Sequence, residues 1–188
     1  QAGAAGPPRG AGGGPRRAAE LTPPPGRPNP PALGGVREKE YPGARRSRDA
    51  LCVAFCDIDK FKAINDLHGH DAGDRVLKLV ARTLAEISDD RCHVARHGGE
   101  EFVVLFRGKT AREAREQLDE TREALASRHL VNRATDTPFG VVSFSAGVAD
   151  VFAFPSPREA LKAADEALYE AKARGRNRIE IAALPRAA

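Results

Sequence analysis

Residues 92–106 read CHVARHGGEEFVVLF. Two apolar, β-rich runs, Cys92 to Arg96 and Phe102 to Phe106, flank His97-Gly98-Gly99-Glu100-Glu101, so the stretch predicts an antiparallel hairpin. The paired glycines permit positive φ, which a tight hairpin turn requires. The same turn carries two carboxylates, Glu100 and Glu101.

Upstream, residues 50–56 (ALCVAFC) form a second β-rich apolar run, which ends in the polar loop Asp57-Ile58-Asp59. Asp59 to about Asp66 predicts a short helix with Asp59 as its cap, closed by a Gly69-His70-Asp71 turn. Val76, Leu77, Val80, Leu84 and Ile87 recur at helical spacing, giving an amphipathic helix from Asp74 to about Ser88. Downstream, Thr110-x-x-Glu113 is a capping box that opens a helix to about Ser127. Ser156-x-x-Glu159, with Pro157 at the first helical position, opens another to about Ala173, ended by Gly175. Phe139 to Val148 alternates as a strand, and Arg178 to Ala182 is a short final one. The order β-α-α-β-β-α-β-α-β predicts an α+β domain with a ferredoxin-like mixed sheet. A central antiparallel hairpin is flanked by crossover units, and helices pack on one sheet face.

The chain has 188 residues with 30 Lys+Arg, 26 Asp+Glu and a net charge of +4, a length that favours one domain. Residues 1–48 hold 10 of the 18 Gly, 10 of the 14 Pro and 9 basic against 3 acidic residues. They read as a flexible arm, because proline fixes φ and removes a donor. Residues 49–184 are expected to be the folded domain and 185–188 a tail. From residue 49 onward 21 basic face 23 acidic residues, so the basicity belongs to the arm and argues against a nucleic-acid partner. No apolar run approaches the roughly 18 residues of a membrane helix, so no membrane contact is expected. A start at Gln1, with no Met and no basic-then-apolar leader, reads as a piece of something longer. Cys52, Cys56 and Cys92 form no CxxC pair; they read as small buried apolar fillers in a reducing compartment.

Chemistry concentrates where two strand ends converge. Asp57-Ile58-Asp59 and Glu100-Glu101 are hard oxygen ligands, suited to holding Mg²⁺ while leaving positions open for phosphates; equally, Asp59 is a helix cap and the glutamates solvated turn residues. Lys60-Phe61-Lys62, Lys172 and Arg176 offer a phosphate clamp, although cations near a helix C-terminus also suit its dipole. Asn65 and Asp74 supply an amide and a carboxylate able to pair with a nucleobase edge, or to act as caps. There is no HExxH, P-loop or nucleophile elbow.

Taken together, residues 57–62 (DIDKFK), Asn65-Asp66, Gly69-His70-Asp71, Gly73-Asp74 and residues 96–102 (RHGGEEF) resemble the GGDEF domain of diguanylate cyclases. Residues 143–148 (SFSAGV), 164–169 (ADEALY), Ala171-Lys172 and Gly175-Arg176-Asn177 extend the resemblance from about Leu51 to Ile181. It implies a sheet like the polymerase palm, and an enzyme that condenses two GTP into cyclic di-GMP and two pyrophosphates at a homodimer interface. By the resemblance, Asp57, the carbonyl of Ile58 and Glu100 hold Mg²⁺ or Mn²⁺, with Glu101 close by, and Glu100 is the proton acceptor. Lys62, Lys172 and Arg176 neutralise phosphates with backbone N–H groups near Phe61. Gly98 and Gly99 let substrate approach the chain, and Asn65 and Asp74 read guanine. It further implies a cytoplasmic location and an upstream sensor domain in a parent protein that can be membrane-attached.

Three departures stand out. The third motif letter is Glu100 in place of Asp, a variant that active members use. Upstream, Leu21-Thr22 and Asn29 fall where the family has a helix introduced by a DxLTxLxNR-like stretch, but six intervening and flanking prolines break it. The alternative reading is therefore a GGDEF-fold module that binds GTP or docks a partner without turnover. Finally, the family's inhibitory product site is an RxxD whose Arg and Asp positions are filled here by Asp89 and Cys92, so no such site is expected. Added cyclic di-GMP is expected to slow turnover only weakly. Calorimetry showing tight product binding away from the GTP site would overturn this.

Overall fold

The structure, a computed structural model, describes residues 40–185. The expected arm therefore lies outside the described residues up to position 39, as does all but Pro185 of the expected tail. A five-stranded sheet in the order β2-β3-β1-β6-β7 forms the centre. Its strands are β1 (Leu51–Ile58), β2 (Cys92–Arg96), β3 (Glu101–Arg107), β6 (Phe144–Asp150) and β7 (Ile179–Ile181). All neighbours are antiparallel except β6 and β7. The mixed α+β architecture matches the expectation, and the hairpin β2–β3 forms with Cys92 opposite Phe106 and Arg96 opposite Phe102.

Every residue of β1 is buried, so both of its faces need cover. Cys52, Ala54, Cys56 and Ile58 pack under α2 (Phe61–His68), α3 (His70–Ala85) and α4 (Ala111–Ala126). Leu51, Val53 and Phe55 pack under α5 (Pro157–Ala173) and Ala44. Helices thus cover both sheet faces, not the one expected, because a continuously apolar strand of this kind has no polar side to leave in water.

The helix α5 lies close on β6. A Cβ at Gly147 would stand 2.0 Å from the Ala164 carbonyl and 2.4 Å from the Leu168 nitrogen, so only glycine fits there. Buried Ala160, Ala163, Ala164, Ala167 and Ala171 line the helix side of this contact. The capping box of α4 is formed, and Ser156 accepts from the Glu159 N–H at the start of α5, as their sequences require.

Several local expectations are corrected. Residues 40–47, counted with the arm, are helical and form α1. Tertiary contacts hold it in place: the Tyr41 and Phe152 rings meet at 5.6 Å, and Glu40 pairs with Arg107 at 3.3 Å. Helix α3 begins at His70, because Gly69 alone, at φ 84°, makes the break expected to occupy three residues. The strand expected from Phe139 begins at Phe144; before it, β4 (Val131–Asn132) and β5 (Thr137–Pro138) pair as a separate small hairpin. Neither Gly98 nor Gly99 has positive φ. The turn is a four-residue loop closed by the N–H groups of His97 and Gly98 donating to the Glu101 carbonyl, and it needs no left-handed residue.

Asp59 is not a helix cap. Lys60, in the left-handed region at φ 55°, holds that position without a side-chain bond. The Asp59 carboxylate is buried and accepts from the Ser143 hydroxyl (2.7 Å), the Ser145 hydroxyl (2.6 Å) and the Asn177 N–H (2.9 Å). No helix among the described residues is long and apolar enough to cross a membrane.

Cys52, Cys56 and Cys92 are buried and unbridged, as expected. Burial pushes the Cys52 and Cys92 thiols up to about 12 and raises Cys56 as well. Since the thiolate is the reactive form, a disulfide reagent at pH 8 is expected to label none of them in native protein and all three in denaturant. Fast native labelling would contradict this packing. Asp59→Ala removes the acceptor of two buried hydroxyls and one part-buried N–H and is expected to cost about 3 kcal/mol in urea unfolding. A lost helix cap would cost about 1 kcal/mol, so a value that small would return Asp59 to a capping role.

Candidate active site

The ladder geometry assembles the acidic residues. Asp57 at the end of β1 lies opposite Glu101 on β3 and opposite Ser145 on β6. One step further, the Ile58 N–H donates to the Glu100 carbonyl at 3.2 Å, which extends the pairing into the turn. Asp57, Ile58, Glu100 and Glu101 therefore meet at one end of the two central strands. Asp57 and Glu101 share the sheet face covered by α5, and Lys172 in the last turn of that helix reaches Asp57 Oδ1 at 3.3 Å.

Burial raises the pKa of Asp57 above the ordinary carboxylate range; Lys172 opposes the shift, while Glu101 and Asp59 reinforce it. Glu100 is raised in the same way, by burial first and then by Asp57. The carboxylates stand against one ammonium, an excess of negative charge that a divalent cation would relieve. Among the described residues no three His, Cys, Asp or Glu groups are drawn tightly around one point. Asp57 and Glu100 at one strand end are the hard oxygen donors of a cation that takes one or two carboxylates and completes its shell with water and phosphate oxygens. The residues present thus fit Mg²⁺ or Mn²⁺.

The turn glycines differ in their reasons. A Cβ on Gly98 would stand 2.7 Å from Glu101 Oε2, so glycine there leaves room for that carboxylate, whereas Gly99 faces open space. The Arg96 guanidinium closes the turn from below, donating to the carbonyls of Gly98 (3.0 Å) and Gly99 (2.7 Å). No role for Arg96 is expected from the sequence, although an arginine two residues before a glycine turn is placed to hold its carbonyls.

Asn65 on α2 and Asp74 on α3 are brought together through Gly73. The position of a Gly73 Cβ falls 1.7 Å from Asn65 Oδ1, so the amide occupies the space a side chain would fill, one residue from the exposed Asp74. Lys62 is not gathered with the carboxylates: it is 91% exposed and pairs with Asp66 at 3.9 Å. Phe61, at the start of α2, is partly buried against the core. Arg176 is exposed in the turn after α5, where Gly175, Arg176 and Asn177 all have positive φ. That turn is tied down by the Asn177 N–H on Asp59 and by Arg122, whose Nη1 donates to Asn177 Oδ1 at 2.8 Å. Ser143, Ser145 and Asn177 had no stated role in the sequence; small polar residues alternating on an apolar strand were the available signal for a buried acidic partner. Asp89, in the position of the family's product-site arginine, accepts from the N–H groups of Arg91 and Cys92 and shapes the entry to β2.

Comparison with known proteins agrees with this geometry. The family model "Diguanylate cyclase, GGDEF domain" matches residues 37–178. The chain is 39% identical over 159 residues to the diguanylate cyclase DgcP of Pseudomonas aeruginosa, covering 84% of this chain but 23% of that protein. It is 33% identical over 146 residues to the diguanylate cyclase DosC of Escherichia coli, covering 78% of this chain and 31% of the relative. It thus spans less than a third of either relative. Among solved structures, the GGDEF domain of DgcB from Caulobacter crescentus, in complex with c-di-GMP, superposes with a TM-score of 0.76 at 33% identity, over 80% of this chain and 88% of that one. The active GGEEF domain of a diguanylate cyclase from Vibrio cholerae gives 0.75 at 29% identity, over 84% and 98%. With the strand-end carboxylates, the glycine turn and a sheet of this order all in place, the chain belongs to the GGDEF domain family of diguanylate cyclases.

Proposed function

We propose that this chain condenses two GTP into cyclic di-GMP with release of two pyrophosphates, at an interface between two copies that each hold one GTP. The observation that carries the reading is the meeting of Asp57, Ile58, Glu100 and Glu101 at one strand end with Lys172 beside them. In each half-reaction the 3′-oxygen of one GTP bonds to the α-phosphorus of the other, the bond to pyrophosphate breaks, and the hydroxyl proton passes to Glu100. Asp57, the Ile58 carbonyl and Glu100, with Glu101 adjacent, would hold Mg²⁺ or Mn²⁺. When bound, the ion neutralises phosphate charge and acidifies the attacking hydroxyl.

The remaining residues bind and orient. Lys172, Arg176 and Lys62 neutralise the β- and γ-phosphates, and the free N–H groups of the first turn of α2, at Phe61, suit the same anion. Gly98 and Gly99 keep the approach to the turn clear. Asn65 and Asp74 read the guanine edge; Asp74 favours GTP over ATP because adenine lacks the paired donors a carboxylate accepts. In the parent protein an upstream sensor domain and a cytoplasmic location complete the reading.

Incubation with GTP and Mg²⁺, followed by chromatography, is expected to yield cyclic di-GMP from the wild type. Glu100→Ala should lower product by at least about a hundredfold, as loss of a general base typically does, and ATP should yield none. Saturable GTP binding without product at high protein concentration would instead make the chain a GTP-binding or partner-docking module.

A further inference from the structure

On the side of α3 that faces the β4–β5 hairpin is a cavity of about 340 Å³, separate from the strand-end carboxylates. Its apolar wall comprises Val76 and Leu79 from α3, with Leu130 and Phe139 from the segments flanking the hairpin. Phe139 is held by the His68 ring at 4.5 Å. Val131 and Ala134 of the hairpin and two arginines, Arg75 and Arg133, make up the rest of the lining, to which no carboxylate contributes. Arg75 is fixed by an unusual partner: its Nη2 donates at 3.0 Å to Oδ1 of Asn132, an amide that is 2% exposed and also accepts from the Ala134 N–H. A neutral acceptor orients a guanidinium without cancelling its charge. Among the described residues Arg133 carries no ion pair either, so two positive charges border an apolar hollow.

We propose that this cavity binds a small aromatic anion, with its ring against Phe139, Leu79 and Leu130 and its carboxylate or phosphate head on Arg75 and Arg133. The hollow is on the scale of a single aromatic ring with its acidic head. It also lies within the range of roughly 300–1,000 Å³ found for small-molecule sites, which pair apolar walls with a few placed polar groups. Guanidinium groups suit both heads because their paired N–H donors match carboxylate and phosphate oxygens.

The test is an NMR titration of ¹⁵N-labelled protein with phenyl phosphate and, separately, benzoate. Saturable amide shifts are expected at residues 75–79 and 130–139, in the millimolar range or tighter. Benzyl alcohol and inorganic phosphate at the same concentrations should leave those amides unmoved, since each offers half of the required chemistry. Arg133→Glu, on the exposed hairpin, should weaken binding by at least about tenfold while the spectrum of the sheet stays unchanged; Arg75→Gln should do the same. Absence of saturation overturns the proposal, as does an equal response to inorganic phosphate or an unchanged affinity in Arg133→Glu. Shifts confined to the surroundings of Asp57 and Lys172 would overturn it too, by placing the probe in the proposed substrate site.

Discussion

One buried carboxylate organises the end of the sheet that carries the candidate site. Asp59 is 7% exposed, and a charge so placed is tolerated only when its lone pairs are filled. Two hydroxyls from the start of β6 and one N–H from the turn after α5 fill them. The requirement works in both directions. The carboxylate needs three donors, and in obtaining them it fixes the strand end that carries Asp57, the entry to β6 and the turn that carries Arg176. Arg122 extends the same chain of contacts outward to α4 through Asn177. The position of the acidic cluster therefore depends on a residue with no place in the cluster.

A second constraint is steric. Lys172 meets Asp57 only because α5 runs close over β6, and that approach rests on the missing side chain of Gly147 and the alanine stripe opposite. A larger residue at either position would lift the helix and draw the ammonium away from the carboxylate. Charge placement in the site is thus set by packing several residues distant.

Sequence periodicity located the hairpin, the capped helices α4 and α5, and the paired acidic loops, because each rests on local signals: alternation, a capping box, a glycine-rich turn. Other features rest on contacts between distant segments. Helix α1 falls at the end of a Gly- and Pro-rich stretch whose composition predicts an arm, while Glu40 on Arg107 and Tyr41 against Phe152 hold it. For Asp59 the sequence offers a cap or an oxygen ligand, both local roles, whereas its serine partners lie 84 and 86 residues away. The β4–β5 hairpin has two residues per strand, too few for any period to register. Among candidate site residues, Asp57, Glu100 and Glu101 form one acidic group in the sequence and Lys172 belongs to a separate cationic one; their meeting at 3.3 Å is a tertiary contact, and Arg96 leaves no sequence signal because its partners are backbone carbonyls.

The contacts of Asp59 also bear on when the site can exist. They close loops of 84, 86 and 118 residues, so nearly the whole described chain must be gathered before the carboxylate is satisfied. Non-local contacts of this span form late, because loop-closure entropy has to be met before they return any stabilisation. Asn177 lies near the end of the described chain, so during synthesis the acidic strand end lacks its last donor until almost all of the domain has emerged. The candidate site consequently depends on the Asn177 turn being in place, and no fragment ending before it holds the full set of Asp59 contacts.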